Sequence, residues 1–256
     1  MRVWKKLPEW IERRREFDRR QIGFVPTMGA LHRGHASLVE RCRSENDVTV
    51  ASIFVNPAQF NDPSDLERYP STMEKDLALL ESLGADEVLA PNAADLYPDG
   101  YRFWLEENQL SKLMEGRSRP GFFQGVMTVV LKFFNLVRPH RAYFGEKDYQ
   151  QLQIVEAMAK EFFLPVQIVP CETIREASRL ALSSRNALLS NAGRAQAALI
   201  ANVLANVESC EAARAALESS GFQVDYVEEH FGRRYAAAAL EGVRLIDNIP
   251  VTPPVL

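Results

Sequence analysis

The run Val48-Thr49-Val50-Ala51-Ser52-Ile53-Phe54-Val55 constrains the fold more than any other stretch. It is almost continuously apolar and β-branched, the pattern of a strand covered on both faces, as in a parallel sheet. A polar loop, Asn56-Pro57-Ala58-Gln59-Phe60-Asn61, follows at the strand's C-terminal end, where open α/β sheets bind ligands. Further strands are expected at 21–26, Asp86–Pro91, Arg141–Phe144 and Val166–Val169. Helices are expected between them. One starts near His32 and runs to Ser44. Another passes through Leu77, Leu79, Leu80 and Leu83, with Ser71 or Thr72 as cap and Gly84 as its close. A buried helix covers Val126–Val137, and Tyr149 to Phe163 is helical with Leu152, Val155, Met158, Ala159 and Phe162 on one side. Residues 7–20 read as a charged surface helix, and Arg102-Phe103-Trp104-Leu105 as an edge strand. Strands alternating with helices predict an α/β fold, a Rossmann-like doubly wound parallel sheet.

The periodicity lapses at 172–186, which reads as a polar linker and loop. Beyond it, Asn191–Leu217 is Ala-rich and helical, and Val224–Val227 and Arg244–Asn248 are strand-like. The expected organisation is therefore a large domain, 1–173, and a small α+β C-terminal domain, 174–256. The net charge of −4 over 256 residues signals no basic face for nucleic acid. No run of 18 apolar residues is present, so no membrane span is expected. The N-terminus lacks the apolar core of a signal peptide. Cys42, Cys171 and Cys210 are odd in number and far apart, which fits reduced, mostly buried thiols in a cytoplasmic protein.

Candidate chemistry gathers at strand ends. In Gly23-Phe24-Val25-Pro26-Thr27-Met28-Gly29-Ala30-Leu31-His32-Arg33-Gly34-His35, Pro26 is expected to end the strand and Gly29 to turn the chain. His32 and His35 lie one helical turn apart, where they would share a face near a helix N-terminus suited to phosphate. Two of the chain's four histidines stand here, which favours function over chance. Zinc is disfavoured, because His-x-x-His lacks the spacing and general base of a zinc protease and no third ligand is near. The amides of Asn56 and Gln59 could orient a hydroxyl or carboxylate, or simply build a turn. In Gly145-Glu146-Lys147-Asp148 the lysine suits phosphate, although such a tetrapeptide is more often a solvated turn. Gln151 is four residues beyond Lys147, so the two could face one cavity. Ser183, Ser184 and Arg185 suit a pyrophosphate leaving group, or a plain Ser-rich loop. Arg117 and Arg119 are a further anion site or surface charge. No P-loop or Gly-x-Gly-x-x-Gly motif occurs.

Taken with its companions, Pro26–His35 resembles the His-x-Gly-His motif of the pantoate–β-alanine ligase (pantothenate synthetase) family, within a broad nucleotidyltransferase superfamily. Four further blocks match in order: Ser52–Phe60, Phe144–Leu152, Leu182–Asn186 and Arg244–Asn248. The resemblance implies ATP-dependent condensation of pantoate with β-alanine through a pantoyl adenylate, releasing AMP and pyrophosphate. By the same resemblance His35, His32 and Lys147 are catalytic, with His35 as proton donor. Met28, Gly29, Ala30, Leu31, His32, Arg33, Gly34, His35, Gly145, Glu146, Lys147, Asp148, Ile174, Leu182, Ser183, Ser184 and Arg185 would bind ATP. Gln59, Gln151 and Asn56 would bind pantoate and β-alanine. Mg²⁺ would ride on the ATP phosphates with no protein ligand assigned, the small domain would act as a lid, and the chain would form a cytoplasmic homodimer. Two alternatives remain open. One is a nucleotidyltransferase acting on another small acid or a phosphate-bearing substrate, which the neutral Asn56, Gln59 and Gln151 oppose. The other is a nucleotide-binding relative with impaired catalysis.

This chain departs from the family's pattern in three places. Arg119-Pro120-Gly121-Phe122-Phe123-Gln124-Gly125 has Phe122 and Gln124 where the family carries His and Arg. Arg175-Glu176-Ala177-Ser178-Arg179 has Arg179 in place of glycine. The segment between Tyr226 and Arg244 is shorter than the family's usual one.

Overall fold

The computed structural model describes residues 1–60, 66, 67, 69, 70 and 72–251. Among them, β1 (Arg2–Trp4), β2 (Ile22–Thr27), β3 (Val48–Ile53), β4 (Glu87–Leu89), β5 (Arg141–Gly145) and β6 (Gln167–Cys171) form one sheet. Their order is β1-β4-β3-β2-β5-β6. Every pairing is parallel. The chain winds outward from β2 to β3 and β4, then returns to place β5 on the other side of β2. The topological switch point therefore falls between β2 and β5, where ligands bind in such sheets.

All six residues of β3 are buried, as its apolar run requires. The helices that cover the sheet include α1 (Leu7–Arg15), α2 (Arg33–Glu45), α3 (Met73–Ser82), α4 (Ala93–Leu96), α5 (Met114–Ser118), α6 (Phe122–Val137) and α7 (Tyr149–Glu161). Val25, Ala51 and Val88 share one core cluster with Leu38 and Val39 of α2 and Leu80 of α3. The alternate residue Phe24 packs on Phe133 and Phe134 of α6 at ring separations of 5.8 and 6.5 Å. Alternate side chains thus meet helices on opposite faces, which explains why the strands do not alternate polar and apolar. Burial pushes the Cys42 thiol up to about 12. All three cysteines are free, Cys42 and Cys171 buried and Cys210 partly so.

Several expectations need correction. Pro26 does not end its strand but pairs with Ser52 inside the β2–β3 ladder. Thr27 O accepts from Phe54 N, so Thr27 faces β3 and Pro26, one residue earlier, faces β5. The β2–β5 ladder reaches only Phe24, so no bond is lost where proline lacks its N–H. The N-terminal helix stops at Arg15 and is no mere surface helix, since Trp10 is fully buried. It is tied down by a buried carboxylate: Glu87 accepts from Trp4 Nε1 at 2.6 Å and from Arg13 Nη2 at 2.7 Å. β1, the strand beside Glu87, has too short a pattern to be read from sequence. Arg102–Leu105 forms no strand, and Phe103 and Trp104 are exposed. α7 ends at Glu161, leaving Phe162 about half exposed rather than in the core. Thr72 caps α3 in position but spends its hydroxyl on Asp76 Oδ2, at 3.0 Å. Ser71 and Asn61 lie outside the described residues.

The chain divides into two compact units: Met1–Gly145 with Gln150–Cys171, and Glu146–Tyr149 with the residues from Glu172 on. In the second, β7 (Gln223–His230), β8 (Arg233–Leu240) and β9 (Val243–Pro250) make an antiparallel sheet. Helices α8 (Asn191–Ala197), α9 (Leu199–Asn206) and α10 (Cys210–Ser219) supply its remaining core. The alanines of β8 favour helix by propensity. Here Ala236, Ala237 and Ala238 lie buried in the middle strand, between two partners joined through tight turns. Phe231-Gly232 and Glu241-Gly242 carry positive φ at both positions, which matches the twist of a two-residue hairpin. No helix among the described residues is long and apolar enough to cross a membrane.

Candidate active site

The histidine motif begins where β2 ends. Gly29 adopts φ +79° and Ala30 +50°, so two consecutive residues take the left-handed conformation. For alanine that conformation costs about 1–2 kcal/mol. The cost is met by Asp76 of α3, a carboxylate only 2% exposed. Its two oxygens accept from Ala30 N at 2.9 Å and Leu31 N at 2.8 Å. Asp76 was not legible as a site residue, because nothing in the spacing links it to a turn 46 residues earlier.

The two imidazoles come together, though not as neighbours on a helical face. His32 is the N-cap of α2, with extended backbone (φ −137°, ψ 177°). Its Nδ1 accepts from Gly34 N at 3.1 Å, and His35 Nδ1 accepts from His32 N at 3.3 Å. This is a capping box made of two histidines. The ring centroids are 4.1 Å apart. Because each Nδ1 accepts a backbone N–H, each neutral ring carries its proton on Nε2. Two backbone N–H groups at the helix start, expected to face phosphate, are therefore taken by the imidazoles. Of the remaining motif residues, Gly29 is buried, Arg33 is exposed, and Met28, Ala30, Leu31 and Gly34 are partly buried.

The loop after β3 is a buried amide cluster. Asn56 Oδ1 accepts from Ala58 N at 3.4 Å, and Nδ2 donates to Gly125 O at 3.1 Å. These contacts fix the amide's orientation, so the Gln59 atom 3.0 Å from Asn56 Nδ2 must be the acceptor Oε1. Gln59 thus turns its Nε2 donors the other way. A Cβ on Gly125 would lie 2.5 Å from Ala58 O, so only glycine lets α6 approach this loop. Arg119 donates to Gln59 O at 2.9 Å, and its guanidinium lies 3.9 Å from the Phe122 ring centroid. Phe122, where the family carries histidine, therefore supports the arginine that holds Gln59. Gln124 and Gln151 are partly buried in the same unit.

Lys147 belongs to the second unit, in a 3₁₀ turn, Glu146–Asp148, that precedes α7. The i, i+4 spacing to Gln151 thus does not lie on one continuous α-helix. Lys147 Nζ lies 3.4 Å from Asp148 Oδ1. Lys147, Ser183, Arg185, Asn186 and Arg244 line one cavity of this unit. A Cβ on Gly145, just before the turn, would meet open space.

The stretch expected to be a linker is an ordered part of the second unit. Arg175 bridges Ala181, and Leu182 N donates to Ile174 O at 3.0 Å, which brings Ile174 and Leu182 together. Arg175 grips Asp247 through two bonds of 2.7 and 2.8 Å, and that pairing raises the Arg175 pKa. Leu180 and Ala181 are buried. Arg179, which replaces the family's glycine, keeps φ at +75°. Ser183 caps the following 3₁₀ turn by accepting from Arg185 N at 3.2 Å. Leu182, Ser184 and Arg185 are partly buried. Asn186, 4% exposed, donates to Ala181 O, while its Oδ1 has no hydrogen-bond partner among the described residues.

The family model described as pantoate-beta-alanine ligase matches residues 1–250. The chain belongs to the pantoate–β-alanine ligase family. It is 47% identical to a pantothenate synthetase of Legionella pneumophila over 97% of this chain and 99% of that one. A pantothenate synthetase of Bdellovibrio bacteriovorus is 50% identical over 90% of this chain and 92% of its own. The fold matches a pantoate-beta-alanine ligase structure from Francisella tularensis with a TM-score of 0.93 and 39% identity, covering 98% of this chain and 97% of that one. That structure is described as complexed with beta-gamma ATP and beta-alanine. A pantothenate synthetase structure from Thermus thermophilus gives a TM-score of 0.91 at 42% identity, over 99% of this chain and 100% of the other. The pantoate–β-alanine ligases are ATP-dependent enzymes that form a C–N bond.

Proposed function

We propose that this chain makes pantothenate by two displacements. A pantoate carboxylate oxygen attacks the α-phosphorus of ATP, and the bond to the bridging oxygen of pyrophosphate breaks. The amine of β-alanine then attacks the acyl carbon of pantoyl adenylate, the bond to AMP breaks, and the nitrogen loses a proton.

The observation that carries this reading is the histidine capping box. Two imidazoles with protons on Nε2 are rigid donors to phosphate oxygens as charge develops there, and His35 is the proton donor. Met28, Gly29, Ala30, Leu31, Arg33 and Gly34 form the rest of that wall. Lys147, with Gly145, Glu146 and Asp148 around it, holds phosphate oxygens. Ser183, Ser184 and Arg185 bind the leaving pyrophosphate, beside Ile174 and Leu182 on the ATP wall. Gln59 meets pantoate through Nε2 donors, held by Asn56, and Gln151 completes the acid's contacts. Neutral amides here favour a carboxylate and hydroxyl over a phosphate-bearing acceptor. Mg²⁺ supplies charge neutralisation on the ATP phosphates. In this reading residues 1–173 bind ATP and pantoate, the C-terminal part closes as a lid, and the enzyme works as a cytoplasmic homodimer. Light scattering tests the dimer.

The deciding assay is exchange of labelled pyrophosphate into ATP. Exchange that requires pantoate is the expected result. Folded protein that shows none, or that exchanges equally without pantoate, overturns the adenylate route.

A further inference from the structure

Asp247 and Asn248 end a block that the chemistry above leaves unused, yet both side chains are buried, with Asn248 only 1% exposed. Asn248 Nδ2 donates to Glu146 O and to Lys147 O, each at 2.9 Å. Its Oδ1 accepts from Arg233 Nε. A guanidinium only donates, so the atom facing it must be the oxygen, and Nδ2 is forced onto the two carbonyls. Those carbonyls belong to the peptide planes on either side of the Lys147 Cα. Pinning both planes fixes φ and ψ at Lys147, and with them the direction in which its side chain leaves the backbone.

The segment Glu146–Tyr149 is held at two more points. Arg233 Nη1 lies 3.5 Å from Glu146 Oε2, and its guanidinium carbon lies 4.4 Å from the Tyr149 ring centroid. The amide is itself anchored. Asn248 N donates to Asp247 Oδ1 at 2.8 Å, and Asn248 O accepts from Arg175 at 3.3 Å. A lysine is a point charge on a flexible four-carbon stem, so its placement depends on where that stem starts. We propose that Asn248 is a positioning residue for Lys147, acting on phosphate only through the main chain it holds. This rests on Lys147 being the phosphate-binding cation of the reading above.

The test is a double-mutant cycle read by pantoate-dependent pyrophosphate exchange. Asn248→Asp keeps the shape and the acceptor for Arg233 but turns an oxygen toward the two carbonyls. It is expected to lower the exchange kcat about 10- to 100-fold, as small misplacements of a reacting group do, while leaving the KM for pantoate unchanged. In a Lys147→Ala background the same substitution should cost less than about twofold, because the group it positions is gone. Should a carboxylate at 248 prevent cooperative melting, Asn248→Ala enters the same cycle. Multiplying losses in the double variant, or a single variant with normal kcat, overturn the positioning role while leaving Lys147 in place. Normal exchange in Lys147→Ala overturns both Lys147's assignment and this inference.

Discussion

The histidine turn of the first unit and the Lys147 turn of the second are held in different ways. On the first unit the imidazoles are held by their immediate neighbours: His32 by Gly34, and His35 by His32. On the second, Lys147 is held by Asn248, 101 residues away, and the Ser183–Arg185 loop is anchored through Arg175 to Asp247, 72 residues away. A locally built site needs few other residues to take shape, so damage there should fall on chemistry. A site built from distant partners forms only with its whole unit, so damage should fall on stability as well.

That contrast can be broken or sharpened by four substitutions. The largest expected effect is on chemistry. His35→Ala removes one donor to the developing charge and should lower pyrophosphate exchange by about 10²–10³-fold. It also deletes one cap bond worth about 1 kcal/mol, or about 2–4 °C of melting temperature in a chain of this size. A variant that keeps exchange, or that fails to fold, would refute the local character of this turn. Next, Asp247→Ala strips the Arg175 fork of its buried partner, and denaturant unfolding should show a loss of about 3 kcal/mol. Loss of exchange without loss of stability would contradict the distant-anchor picture.

Asp76→Asn tests the distant support of the histidine turn. It sets an amide N–H against a backbone N–H of Ala30 or Leu31, at a cost of about 1–3 kcal/mol, with exchange reduced as the turn relaxes. The smallest effect is expected at Arg179. Arg179→Gly relieves about 1–2 kcal/mol of left-handed strain. Glycine's greater freedom when unfolded takes back about 0.5–1 kcal/mol. The net gain of about 0.5 kcal/mol should appear as a melting temperature raised by about 1–2 °C with unchanged exchange, by the scaling of about 2–4 °C per kcal/mol.

The same contrast explains what could be read from the sequence. The parallel sheet was legible because β3 carries its burial pattern within a few consecutive residues. The histidine pair was legible because both rings lie within four residues of one turn. β1, Asp76, Asn248 and the Arg175–Asp247 pair were not, since their roles exist only between segments far apart in the chain. β8 was hidden for a second reason: a run of alanines favours helix by itself, and only pairing on both sides makes it a strand. Pro26 misled because proline forbids a bond on one side of a strand, and the sequence does not say which side is paired.

The placement of Glu146–Tyr149 in the second unit has a genetic consequence. The polypeptide passes between the units at 145/146, 149/150 and 171/172, so no single cut yields two autonomous pieces. A chimera of two homologous genes joined at 171/172 would draw Lys147 from one parent and Asn248 from the other. Asn248 grips main-chain carbonyls, which every parent supplies, so that join tolerates divergent sequences. Arg233 and Glu146 meet through side chains, and a recombinant must inherit a compatible pair at those two positions.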